Sequence, residues 1–566
     1  MKAASLLGVL ITAHVLVLAG SELPLSAWTP FAYLWQDVLV ALVFAGLDIL
    51  CGKRRWSWVL YGILVLYIAV NVPITLVLSS PLTISMIRAT AAPLSDSITL
   101  YLTPRNVGAI LSVIAVGIAL PYALIRSRIR PRSTLVIPSV VVCVIGMLSV
   151  SKVQTLGLHR NAIGALWPAP MPTADGTPLA DLRSSPVPQE ASVLEDLSAY
   201  SGQAAGRNVV MIILESTGAR YLRQYGATED PTPHLTELAN RSILFENAYA
   251  VYPESIKGLF STLCSQYPGF RSNAEDYDAI PCSSMATSFQ NAGYRTALFH
   301  SGRFMYLGME SVIENRGFEV LEDAGAIGGN IHSSFGVDEP ATVQRMLSWI
   351  DSLSDSDRFF ITYMPVAGHH PYASPERGPF NPADEIGRYQ NALHSGDAAL
   401  GVFLRELQSR GLYDKTLFIV FGDHAEAFGQ HPGNFGHSLF IYDENVRVPY
   451  LIAAPSLVDK QIRVRRIASL IDTAPTLLDL LELPIPDNYA GTSLLKPDIQ
   501  MALFFTDYSL GWLGLRDSCR KYIYEVDSRW SRLYDVCADP GETIDVARSN
   551  AKVVEQYRRI VLQWIQ

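Results

Sequence analysis

Charge is what this chain has least of. Asp, Glu, Lys and Arg make up 17% of its 566 residues, while hydrophobic residues reach 49%; soluble domains usually carry about 25% charge. A disordered acidic chain needs low hydrophobicity and high charge, so that class is excluded. A formal net charge of −9 likewise excludes a simple basic nucleic-acid binder. Closely paired C-x-x-C spacings are absent too, which argues against a four-cysteine zinc module. The length leaves room for two or three domains, each able to bury a sizeable core.

The net charge is an average over two unlike parts. The first 155 residues hold 11 Lys and Arg against 4 Asp and Glu, about +7, and the rest carry about −16. Five apolar runs lie in the basic part: Leu6–Ala19, Phe31–Leu50, Val59–Leu78, Val107–Ile125 and Leu135–Val150. A hydrocarbon core of about 30 Å takes about 20 helical residues, with about 17 the workable minimum. The expectation is therefore a five-helix membrane domain over residues 1–155, its first and last spans near the lower limit. Lys53, Arg54 and Arg55 come after the second run, and Arg126, Arg128, Arg130 and Arg132 after the fourth. Positive loops stay cytoplasmic, which puts the N-terminus inside and everything after the fifth run outside the cytoplasmic membrane. Were the first run, with Lys2 ahead of it, a cleaved signal, four spans and the same outside location would remain. Pro81–Pro104 reads as an external, partly amphipathic connection. Asp37 and Asp48 in the second run are expected near a helix end or against a neighbouring helix.

Residues 156–206 are rich in Pro, Ala, Ser and Gly and keep no period, as in a linker. Beyond them lies a domain over 207–566 with four cysteines, Cys264, Cys282, Cys519 and Cys537. An even number in an oxidising compartment suggests two disulfides out of three connectivities, and short loops favour Cys264–Cys282 and Cys519–Cys537.

Strand-like runs begin at Asn208, Arg295, Arg358 and Thr416, separated by helical stretches. That alternation argues for an α/β domain around a mainly parallel sheet. Each run ends in residues with chemistry of their own: Glu215, then His300, then His369 and His370, then Asp423 and His424. Ligands bind at the carboxyl ends of such strands, and O/N donors of this kind suit Zn²⁺ or Mn²⁺. Ser255, after Pro253 and Glu254, falls near a helix start, where exposed amides favour anions such as phosphate. It reads equally as a metal-activated nucleophile or as a mere helix cap.

Four stretches carry a resemblance: residues 209–220 (VVMIILESTGAR), Thr232-Pro-His-Leu with Phe245-Glu-Asn-Ala-Tyr, Phe421-Gly-Asp-His, and Leu533-Tyr-Asp-Val-Cys-Ala-Asp-Pro-Gly-Glu near the end. Over about Asn208–Asp545 the domain resembles the alkaline phosphatase/sulfatase superfamily. With membrane spans ahead of it, the chain looks like the lipoteichoic acid synthases and the lipid A phosphoethanolamine transferases. The resemblance implies a metal held by Glu215, Asp423, His424 and the nucleophile. The nucleophile position falls on Ser255, where those families have Thr; Thr217 and Thr262 are weaker rivals. It implies that His369, before Pro371, and His437 serve substrate phosphate or a second metal, and that His300 and Arg303 bind a head group. True sulfatases need Cys-x-Pro-x-Arg or Ser-x-Pro-x-Arg to make formylglycine. Here Ser255-Ile-Lys-Gly-Leu lacks both Pro and Arg, so a plain hydroxyl nucleophile is expected.

The implied activity is metal-dependent transfer of a phospholipid head group, phosphoethanolamine or phosphoglycerol, to an envelope glycan or lipid. The rivals are a membrane-tethered hydrolase of the same superfamily, either phosphodiesterase or sulfatase, and a non-catalytic receptor or scaffold.

Overall fold

The computed structural model describes residues 1–19, 26–50, 55–89, 101–127, 135–167, 171, 195–329, 331–333, 336–374, 378–497 and 501–566. Lys53 and Arg54, Arg128, Arg130 and Arg132, Cys51 and most of the 156–206 linker lie outside them.

Each of the five apolar runs is helical: α1 (Lys2–Leu18), α2 (Thr29–Leu50), α3 (Trp56–Leu78), α4 (Pro104–Arg126) and α5 (Val136–Ser149). Three of them, α2, α3 and α4, with 22, 23 and 23 residues, are long and apolar enough to cross a membrane. The other two are shorter apolar helices, α1 with 17 residues and α5 with 14, at or below the length that a bilayer core demands.

Both acidic residues of α2 are paired. Asp48 accepts from Lys2 Nζ at 2.8 Å, and the same ammonium donates to Ser57, so the start of α1, the end of α2 and the start of α3 meet at one end of the bundle. Asp37, fully buried, lies 3.0 Å from His14 Nδ1 and accepts from Asn161 Nδ2 at 2.9 Å. This second network ties the opposite end to the segment after α5.

The larger domain is built on a nine-stranded sheet. Its strands are β1 (Asn208–Leu214), β2 (Ser242–Tyr249), β3 (Tyr294–His300), β4 (Val320–Glu322), β5 (Arg358–Met364), β6 (Thr416–Gly422), β7 (Arg447–Val448), β8 (Tyr450–Ala453) and β9 (Ile462–Ser469). The order is β7-β2-β8-β6-β1-β5-β3-β4, with β9 on β2. Pairing is parallel from β6 through β4 and between β9 and β2. The short strands β7 and β8 run antiparallel to their neighbours, so the sheet is mixed around a parallel centre. A continuous apolar strand is what burial on both faces requires. Val209, Met211 and Ile213 of β1 enter the core on one face, and Val210 and Ile212 the core on the other. Helix α6 (Ser255–Cys264) packs Ile256, Leu259, Phe260 and Leu263 into the first core. Helix α7 (Glu385–Ser409) packs Tyr389, Leu393, Leu400 and Phe403 into the second.

A four-stranded antiparallel sheet comes next: β10 (Ala502–Thr506), β11 (Trp512–Asp517), β12 (Arg520–Glu525) and β13 (Trp530–Asp535). Disulfides join Cys264 to Cys282 and Cys519 to Cys537, the two short-loop pairings. The loop between β10 and β11 is the joint of the molecule. Arg160 donates to the Ser509 carbonyl at 3.1 Å and to its hydroxyl at 2.6 Å, and Thr83 donates to the Tyr508 carbonyl at 3.0 Å. Two residues back, Asp507 accepts from Lys257 Nζ at 2.8 Å on both oxygens and from Tyr252 at 2.8 Å. The apolar helices and α6 therefore grip the same loop.

Phe360 of β5 is fully buried and stacks on Phe289 at 4.3 Å. Its replacement by Ala leaves a cavity that a sheet cannot close, at a cost of about 3–5 kcal/mol; the urea midpoint of the full-length protein in detergent falls accordingly, with the slope unchanged.

Candidate metal and nucleophile site

The parallel centre of the sheet delivers its strand ends to one edge. Glu215 comes directly after β1, His300 ends β3, His369 lies five residues past β5, and Asp423 comes directly after β6. Ser255 joins them from the first position of α6. The cap of that helix is Glu254, whose carboxylate accepts from the amides of Ile256 at 3.0 Å and Lys257 at 3.5 Å. Capping thus falls to the residue before, and the Ser255 hydroxyl faces the strand ends.

Ser255 Oγ lies 2.6 Å from Asp423 Oδ2, 3.0 Å from Glu215 Oε2 and 3.4 Å from His424 Nε2. The His424 nitrogen is in turn 3.5 Å from a carboxylate oxygen of each acid. Main-chain geometry aims these groups. Asp423 Oδ1 accepts from the amides of Ser216 at 2.9 Å and His424 at 2.7 Å, which turns Oδ2 toward Ser255. Ser216 Oγ donates to Glu215 Oε1 at 3.0 Å. To do both, Ser216 holds φ at +51°, a region that non-glycine residues seldom occupy. Gly368, beside His369, packs so closely on the Glu215 carbonyl that a Cβ there would overlap it.

Burial dominates the electrostatics of the cluster. It raises Asp423, helped by the charge of Glu215, to about 7. Burial acts the same way on Glu215, but His424 beside it holds that carboxyl well below its ordinary range. Burial lowers His424, yet Asp423 and Glu215 outweigh it and lift the imidazole to about 10. A hydroxyl has one proton and can donate to one carboxylate at a time; two buried acids at hydrogen-bond distance from it leave negative charge in want of a cation. Glu215, Ser255, Asp423 and His424 fit a divalent metal on that ground.

A second group adjoins the first. His437 Nδ1 is 2.7 Å from Glu426 Oε2, Tyr372 donates to Glu426 Oε1 at 2.5 Å, and the rings of His437 and His424 lie 4.1 Å apart. His424, Glu426 and His437 also have the proximity needed to hold an ion. Sequence reasoning missed Glu426; its place two residues after His424, on the same strand-end turn, was the available signal. His369 Nδ1 meets the His370 carbonyl at 2.6 Å, and His300 Nδ1 meets the Met364 carbonyl at 2.9 Å. Arg303 lies against Gly325. The rival hydroxyls are engaged elsewhere: Thr217 donates to the Glu215 carbonyl at 3.1 Å, and Thr262 to the Gly258 carbonyl at 3.0 Å.

This geometry has two measurable outcomes. Full-length protein loaded with Mn²⁺ or Zn²⁺ retains metal through desalting, whereas Glu215→Ala and Asp423→Ala each lower the retained metal at least about tenfold by elemental analysis. The second concerns the loop 429–437 that carries His437, anchored by His431 Nδ1 on Glu444 at 2.5 Å and Nε2 on the Glu542 carbonyl at 3.1 Å. Burial lowers the His431 pKa, but Glu444 overrides it and the net shift is upward from 6.5. A raised pKa gives stability that is complete below 6.5 and lost as pH climbs through the folded value. Amide-exchange protection of this loop, corrected for intrinsic rates, accordingly declines above pH 6.5, and His431→Asn removes that dependence.

Residues 207–483 match the Sulfatase family model. A lipoteichoic acid synthase-like protein, YvgJ of Bacillus subtilis (strain 168), is 24% identical over 317 residues, covering 52% of this chain and 51% of that protein. An ulvan-active sulfatase of Formosa agariphila is 26% identical over 332 residues, covering 51% of this chain and 64% of that protein. The chain thus spans about half to two thirds of these relatives. Among solved structures, a protein in the alkaline phosphatase superfamily from Vibrio parahaemolyticus superposes with a TM-score of 0.54 at 22% identity, over 68% of this chain and 93% of that one. Residues 207–483 are thus similar to sulfatases in sequence, and the domain shares its fold with that solved protein.

Proposed function

We propose that this chain is a membrane-embedded, metal-dependent phosphotransferase of the cell envelope, moving a phosphoethanolamine or phosphoglycerol group from a phospholipid to an envelope glycan or lipid. In this reading residues 1–155 anchor it in the cytoplasmic membrane through their apolar helices, residues 156–206 tether the domain, and residues 207–566 do the chemistry outside. The observation that carries it is the closeness of membrane helix and site. Tyr101, three residues before α4, stacks on His370 at 6.2 Å, next to His369. A site held that near the bilayer suits a substrate that does not leave the lipid.

A Zn²⁺ or Mn²⁺ ion held by Glu215, Ser255, Asp423 and His424 would supply positive charge that favours the serine alkoxide and offsets the phosphate. Ser255 Oγ attacks phosphorus, a new O–P bond forms, and the P–O bond to diacylglycerol breaks. The hydroxyl proton starts on the 2.6 Å bond to Asp423, and His369 or His437 protonates the leaving oxygen. An acceptor hydroxyl or phosphate O–H then attacks phosphorus and passes its proton to that histidine, the Ser255 O–P bond breaks, and the proton taken up by Asp423 returns to Ser255 Oγ. Glu215 and Asp423 follow strand ends, Ser255 opens a helix, and two main-chain amides fix Asp423, so these groups need little reorganisation as charge develops.

The test is product analysis with labelled phosphatidylethanolamine and phosphatidylglycerol. The expected result is diacylglycerol plus a mass increment on the Ser255 peptide, with Ser255→Ala lowering turnover by at least about 10³-fold. Diacylglycerol with a freely released head group favours the hydrolase reading instead. No turnover of either lipid by metal-loaded protein overturns the transferase, and an adduct on Thr217 or Thr262 overturns the choice of nucleophile.

A further inference from the structure

A large cavity shares no lining residue with the cluster around Ser255. It is a groove of about 870 Å³ between α2, α3 and α5, closed at its outer end by the β12–β13 turn. Its walls are aliphatic, with Leu39, Val43 and Leu47 from α2, Leu60 and Leu64 from α3, and Met147 from α5. From Trp35 to Leu47 it runs along α2 for about 18 Å of helix rise, a little more than the half-thickness of a bilayer core of about 30 Å.

The outer end is polar and built. Arg160 is 7% exposed, donates to Ser509 and Ser80, and sits 3.5 Å from Asp527, yet its Nε is buried with no hydrogen-bond partner. The indole nitrogen of Trp35, in the same wall, is buried and unpartnered as well. Buried polar groups seldom stay unpaired. Arg529 stands exposed at the mouth, in a turn where its φ is +58°, and has no carboxylate partner among the described residues. Arg160 is offset by Asp527, and Arg529 leaves the mouth with one net positive charge.

We infer that this groove is a lipid-binding site for a single glycerophospholipid with a net-negative head group, its acyl chains along α2 and α3 and its phosphate at Arg160 and Arg529. An aliphatic slot one leaflet deep with a cationic rim complements that molecule in both length and charge. The site stands on the chemistry of the groove itself and holds whether or not the bound lipid is a donor for Ser255.

Native mass spectrometry of full-length Ser255→Ala in detergent, titrated with phosphatidylglycerol and with phosphatidylethanolamine, tests it without turnover. One phosphatidylglycerol is retained, with a preference of about fivefold over phosphatidylethanolamine, the contribution expected of one interfacial arginine. Arg529→Gln, an exposed change that leaves the fold alone, abolishes the preference; Leu64→Trp, which fills the apolar slot, weakens both lipids. Equal retention of the two lipids by the parent, or a preference that survives Arg529→Gln, overturns the inference. Turnover by the Arg529→Gln variant with Ser255 intact reports on the transfer reaction separately.

Discussion

Two buried carboxylates reach one hydroxyl, and much of the architecture around them serves to keep that arrangement in place. Asp423 and Glu215 directly follow adjacent parallel strands in register, Leu214 beside Gly422, so the sheet brings the acids together before any side chain is considered. Like charges at this distance repel strongly in a poorly solvated interior. Backbone amides on Asp423, the Ser216 hydroxyl on Glu215 and the imidazole of His424 offset part of that repulsion. In the proposed site the remainder would give a divalent cation its affinity, and removing either acid would take away both a ligand and the reason for binding.

The joint at residues 507–509 extends this constraint to the membrane half. Asp507 holds Lys257 on α6, and Ser509 is held by Arg160. Met86 and Leu156, from either side of the apolar helices, also pack into a core shared with Tyr249, Phe440 and Trp512. A polar clamp and an apolar seam together fix α6 relative to the apolar helices.

Much of the site could be read from the sequence, for a physical reason. Continuous apolar strands ending in Glu, His or Asp-His have a fixed consequence in a parallel sheet, since their ends fall on one edge. Glu215, Asp423 and His424 were accessible by that route. Ser255 was not separable from a helix cap until Glu254 proved to fill that role, because a cap is defined by which side chain meets the amides. Glu426 was passed over as one acid among many; only the fold reveals that His437 and Tyr372 close on it. The short antiparallel strands β7 and β8 left no periodic signal, which is why the sheet is more mixed than the runs implied. In the membrane half, hydropathy located all five helices, while length separates α2, α3 and α4 from α1 and α5.

The stacking of Tyr101 on His370 has a kinetic corollary. A reaction centre fastened at a set height over a bilayer samples its donor in two dimensions. In the proposed reaction the governing variable is then the mole fraction of donor lipid in the surface, and diluting the membrane with inert lipid slows the enzyme even when the total amount of donor is unchanged. In that proposed reaction the same geometry filters acceptors: a glycan chain competes only through the portion lying near the headgroup plane, however long the rest of it is.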